Sequence, residues 1–265
     1  MNLAASIFYD KEQKHLNLWW QGTLVLCVFI ALNSLLYVLD QRMLGDEALW
    51  IKPLKFEISL IIHFTTLAVL AAWLSPEKRN GRAWKATTPI VVAAGLLEVM
   101  YIFLQAARGR ESHFNNTTAI ESTMYGLMGL GAVILVAGSF YLGYLLYREY
   151  QSREGDVFLL SAALGLTIGS VLTLIIASHL ASGETGYLAP FDQEVLRMPL
   201  FSWYLNGEDL RIPHFLATHM MQLLPLYGLW LSRRNMPVGD AKVRLFRCTG
   251  IYSSVVVLLF VIALF

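Results

Sequence analysis

Residues 52–66 read KPLKFEISLIIHFTT, a stretch apolar enough to enter a membrane that nonetheless carries Lys52, Lys55, Glu57 and His63. At about 100° per residue, Lys52, Lys55, Ser59, His63 and Thr66 fall on one helical stripe, and Glu57 points away from it. A charge at a bilayer centre costs at least ~2.5–3.5 kcal/mol on insertion scales, so this stripe must face protein or water. Its ionisable members then need partners on neighbouring helices. Glu98, Tyr101 and Gln105 share a face of a second apolar stretch, and His214, Thr218, Gln222 and Pro225 share a face of a third, with His219 rotated away from His214. Above them lies RGRESHFNN, residues 108–116, which supplies Arg108, Arg110, Glu111, Ser112, His113, Asn115 and Asn116. The expectation is a polar cavity in the outer half of a helix bundle. Glu98, Lys55 and His63 are its candidate acid–base groups, and Arg108, His113, Asn115, His214 and Gln222 would contact or gate a substrate.

Several chemistries suit such a cavity. A metal ion needs imidazoles and carboxylates converging within about 2.0–2.2 Å of one point, and His63, Glu98 and His219 are the ligand types at hand. His214 and His219 are five apart rather than four, which argues against chelation from one straight helix. Haem would need axial histidines on facing helices, for which His63 and His219 are the best pair. A quinone or lipid site would use Lys55, Glu98, His63 or Gln222 as proton and hydrogen-bond partners without a metal, because burial moves carboxyl and amine pKa values toward the working range. Walker loops, dinucleotide fingerprints and nucleophile motifs are absent, which removes soluble-style nucleotide chemistry.

The elements that must position these residues are membrane spans. Of 265 residues, 56% are hydrophobic and only 15% charged, and the mean hydropathy is +0.54. A soluble domain carries about 25% charge. An all-α polytopic transmembrane bundle follows, a single domain over 1–265 with about seven spans near 17–39, 53–75, 88–107, 119–147, 157–180, 213–232 and 247–265. The last ends without a polar flank, so it either stops in the far interface or packs on a partner. If the spans alternate, one face collects Lys11, Lys14, Lys78, Arg79, Arg82, Lys85, Arg148, Arg153, Arg233, Arg234, Lys242, Arg244 and Arg247, thirteen of the twenty Lys and Arg. That face is the cytoplasmic one, with the amino terminus inside, the carboxyl terminus outside, and Trp19, Trp20, Trp73, Trp84 and Trp230 anchoring the inner interface.

Local signals refine the map. Pro53, Pro89 and Pro213 mark helix starts, where a missing N–H costs nothing. Thr118 and Glu121 fit a capping box that would order the loop before it. Gly165 and Gly169, and Gly126, Gly129 and Gly131, suggest close helix approach. Cys27 and Cys248 read as packing residues. The outer loop 183–212 contains an apolar segment, 192–205, expected to lie on the membrane surface or over the bundle mouth. No removable signal is expected at the start of the chain. A net charge of +1 gives no footprint for nucleic acid.

Two resemblances bear on function. Ser59-x-x-x-His63 with a carboxylate on the next span resembles the seven-span zinc hydrolases that include ceramidases and progestin and adiponectin receptors, but the late His-x-x-x-His of that family is missing and the last span has no histidine. The blocks Lys52-Pro53-Leu54-Lys55-Phe56, Arg108-Gly109 followed by Ser112-His113-Phe114-Asn115, and His214-Phe215 with His219, Gln222 and Pro225 resemble a group of bacterial polytopic membrane proteins to which no activity is assigned. That resemblance implies the bacterial inner membrane and no mechanism. Three functions are therefore expected in order: a membrane enzyme or redox protein acting on a lipid-soluble or periplasmic small molecule, a proton- or ion-coupled transporter in which Glu98 and His63 relay charge, or a non-catalytic subunit of a membrane complex or homo-oligomer.

Overall fold

A computed structural model describes residues 14–45, 47–153, 155–182, 198, 203–204 and 209–265, with only the backbone of 14–16. Among these, the helices are α1 (Lys14–Leu39), α2 (Ile51–Ala71), α3 (Pro76–Arg79), α4 (Arg82–Ala107), α5 (Ala119–Ser152), α6 (Val157–Ser182), α7 (Arg211–Ser232) and α8 (Val238–Ile262). A two-stranded antiparallel ladder, β1 (Met43–Leu44) on β2 (Glu47–Ala48), joins α1 to α2. Lys11, and most of the segment 192–205, lie outside the described residues.

Six helices, α1, α2, α4, α5, α6 and α8, are long and apolar enough to cross a membrane. Their large apolar side chains point outward, as with Leu24 at 66%, Leu97 at 58% and Ile251 at 68% exposure. Water would not tolerate such a surface, and hydrocarbon does. The chain is an all-α, multi-pass membrane protein. The expected span over 213–232 is a helix, α7, of 22 residues. It is long enough at about 1.5 Å per residue, but His214, Thr218, His219 and Gln222 keep it out of the apolar set. The expected outward carboxyl terminus depends on α7 crossing as the seventh span.

The chain divides into two compact units, one through Gly138 and one from Ser139, with the boundary inside α5. In the first, α1, α2 and α4 pack pairwise around Phe64, which is fully buried. Trp19 meets Phe64 edge-on at 5.5 Å, and Trp84 lies 6.2 Å from Trp19. Both tryptophans are 1% exposed, so they are core residues rather than the interface anchors expected of them. Gly95 makes the space: a Cβ there would lie 2.8 Å from Phe64 Cζ.

The second unit is built on α6 and α7, with α8 against both. The expected Gly165–Gly169 seam is present, since a Cβ at Gly165 would come within 3.0 Å of the Met220 carbonyl oxygen, and one at Gly169 within 3.0 Å of Met221 Cγ. Gly126, Gly129 and Gly131 face open space, so close approach along α5 rests instead on Gly138 and Gly143. Pro53 and Pro213 are each the third residue of a helix, as expected. Pro89 is not a start: α4 begins seven residues earlier at Arg82 and runs through it. A proline within a membrane helix is tolerated where packed neighbours re-satisfy the freed carbonyl. The last helix likewise begins at Val238 rather than near 247, and Cys27 is exposed rather than packed.

Among the described glycines the tightest approach is at Gly228, where a Cβ would overlap Ser161 Oγ and Cβ. Gly228→Ala is expected to destabilise the protein by about 1–3 kcal/mol through overpacking, read as earlier thermal unfolding in detergent. Gly129→Ala is expected to leave the transition unmoved, and Ser161→Gly to restore most of the loss in the Gly228→Ala background.

Candidate functional site

One end of the first unit is a polar cap assembled by the helix ends. Asp40, just past α1, accepts from Trp50 Nε1 at 2.9 Å and is gripped by Arg42 through Nε at 2.9 Å and Nη2 at 2.7 Å. Those donors hold the Asp40 carboxyl well below the usual carboxylate range. Arg42 also donates to the Ala107 carbonyl, an otherwise unpaired acceptor at the end of α4. One aspartate thereby ties three helix termini together. Lys55 Nζ reaches Glu47 at 3.1 Å, and Lys52 Nζ reaches Glu111 at 3.7 Å, so α2 is pinned to both connecting loops.

The 108–118 loop is ordered by its own side chains. Gln105, fully buried, donates to Tyr101 Oη at 3.0 Å and the Glu111 carbonyl at 3.1 Å, and accepts from Arg108 at 2.8 Å. Asn115 Nδ2 donates to the same Glu111 carbonyl at 2.9 Å, while its Oδ1 accepts from Thr117 N and Oγ1. Gly109 and Phe114 take positive φ, 66° and 55°, to make the reversals. The expected cap is there: Thr118 Oγ1 accepts from Glu121 N at 3.2 Å. Glu121 does not reach back to the cap backbone. Its carboxylate binds Arg110 at 2.7 Å together with the Thr117 and Thr118 hydroxyls.

The predicted site residues of the first unit therefore separate into two sets. Arg108, Asn115, Lys52 and Lys55 are committed to the cap, and Lys55 pairs with Glu47, not with Glu98. His113 packs between Phe56, at 5.2 Å, and Tyr125, at 6.1 Å, with Ser112 Oγ 3.1 Å from its Nδ1. The second set lies in the apolar interior. Glu98 and His63 are both 9% exposed on α4 and α2, and Glu98 has no hydrogen bond or ion pair among the described residues. The stripe on α2 is not as expected: Ser59 is exposed, whereas Glu57, read as pointing away, is fully buried against Asn33 of α1. Sequence reasoning missed Asn33 and Asp40, although an asparagine within the apolar run of α1 was a signal.

In the second unit, His214 Nδ1 and Gln222 Oε1 are buried without a hydrogen-bond partner among the described residues. His219 lies on Phe215, ring centroids 4.1 Å apart, and beside Gln222. Thr218 Oγ1 donates to the His214 carbonyl at 2.9 Å and lies 3.4 Å from Thr173 Oγ1. Glu98 and His63 belong to the first unit and His219 to the second. Among the described residues no group of three or more His, Cys, Asp or Glu is placed to hold a metal ion. No family model, curated protein or solved structure matches the chain.

Burial, and then the nearby Lys52 charge, push His113 down to about 3. The unfolded chain takes up this proton near pH 6.5 and the folded one only near 3, so stability from His113 is complete above about pH 6.5 and is lost as pH falls through that window. Thermal unfolding between pH 4 and 7 should show a steeper acid-side loss in the wild type than in His113→Phe.

Proposed function

We propose that this chain is a multi-pass protein of the bacterial inner membrane, an enzyme or redox protein in which Glu98 exchanges a proton with a lipid-soluble or periplasmic small molecule, a quinone or a lipid. The observation that carries this is the buried Glu98 carboxyl, without hydrogen bond or ion pair among the described residues, in the middle of an apolar helix. An unpaired ionisable group at membrane depth costs several kcal/mol and is characteristic of proton-transfer sites. His63 is the second buried titratable group of that unit, and His214, His219 and Gln222 are the hydrogen-bonding groups of the other. Lys55, read from the sequence as an acid–base group, is tied to Glu47 in the cap. The sorting of Lys and Arg to one set of connections supports the cytoplasmic-membrane orientation.

Dicyclohexylcarbodiimide, which reacts with protonated carboxyls in apolar surroundings, provides the test in nanodiscs. Site-resolved mass spectrometry is expected to show Glu98 labelled, with labelling reduced several-fold by decylubiquinone or by added phospholipid. An unlabelled Glu98, or labelling that neither compound changes, would overturn the proposal. Solute-driven proton uptake into proteoliposomes that Glu98→Gln abolishes would favour the transporter. A Soret band or stoichiometric metal lost on replacing His63 or His219 would favour a haem or metal centre.

A further inference from the structure

We infer that Glu57 and Asn33 form a neutral carboxylic acid–carboxamide pair, a proton-binding site inside the first unit that holds α1 to α2. Both residues are fully buried, 0% exposed, in helices apolar enough to span the membrane. Asn33 Nδ2 donates to Glu57 Oε1. The two remaining oxygens, Asn33 Oδ1 and Glu57 Oε2, are buried and have no hydrogen-bond partner among the described residues. With Glu57 ionised, both are acceptors without a donor, and the pair carries a full charge with no Lys or Arg bound to it among the described residues. Each unsatisfied group destabilises the fold, and the buried charge does so more strongly.

One proton removes all three penalties. Placed on Glu57 Oε2, it turns that oxygen into a donor, and the acceptor left on the same pair is Asn33 Oδ1. The amide N–H already runs to Oε1, so the added O–H closes a ring of two hydrogen bonds and the charge disappears. The ligand of this site is a proton, bound without any cofactor, and its role is independent of Glu98. The chemistry also sets a sharp criterion. A glutamine at position 57 supplies an N–H where the acid supplies an O–H, so it completes the same ring with no proton at all.

The test combines stability and infrared spectroscopy on the full-length protein in nanodiscs. Glu57→Gln is expected to unfold at the wild-type temperature, while Glu57→Ala and Asn33→Ala each unfold several degrees earlier. The wild-type spectrum at neutral pH is expected to contain a protonated-carboxyl C=O band that is missing from Glu57→Gln. If Glu57→Gln fails to fold, or unfolds as early as Glu57→Ala, the ring is wrong. If the Glu57-dependent band is that of a carboxylate, or if wild-type stability depends on sodium concentration, the pair holds a cation in place of a proton and the inference falls.

Discussion

Hydrocarbon offers no hydrogen-bond partner, and this constraint organises the polar chemistry of the chain. Wherever a polar group lies between apolar helices, the protein must supply its partner or leave it unsatisfied at a cost. The first unit meets the requirement in two ways. At the helix ends, charges and amides form a mutually satisfied cap through Asp40, Gln105, Glu111 and Glu121. In the interior, Asn33 and Glu57 meet across two helices. Glu98 does neither among the described residues.

The cap does structural work that a binding loop could not do by itself. Asp40 joins α1 to α2 through Trp50 and, by way of Arg42, to the end of α4. Gln105 and Asn115 converge on one carbonyl, that of Glu111, so hydrogen bonds set the course of the loop before α5 together with the packing of His113 between Phe56 and Tyr125. Exposed ion pairs are worth little individually, so the buried end of the Arg110 pair, Glu121, defines geometry more than it adds stability.

Much of this was legible in the residues. Composition and run length were enough for the helical membrane class, because roughly twenty apolar residues cross a bilayer only as a helix. Thr118 and Glu121 marked the start of α5, and Gly165 with Gly169 marked the α6–α7 seam. Helical periodicity placed Lys52, Lys55 and His63 on a common stripe, but it could not tell which face the neighbours would cover. The covered face carries Glu57, and the lysines turned to acids supplied by loops, Glu47 and Glu111, that no helical spacing relates to them. Tryptophans near helix ends suit both an interface and a core, and Trp19 and Trp84 went to the core because Gly95 leaves room for Phe64 between the helices. His63 and His219, the best axial pair by residue type, belong to different units, a division that helical spacing does not reveal.

The central claim, that the cap closes one end of a unit whose helices span the membrane, is tested most directly by the sidedness of its loops. In a chain with Cys27 and Cys248 replaced by alanine, single cysteines at Gln41, Asn116 and Asn80, all exposed, are treated in intact cells with a membrane-impermeant maleimide. The account predicts labelling at 41 and 116 from outside, and at 80 only after the membrane is opened. Equal labelling of all three from outside would contradict it, since the helices joining them would then not cross the bilayer.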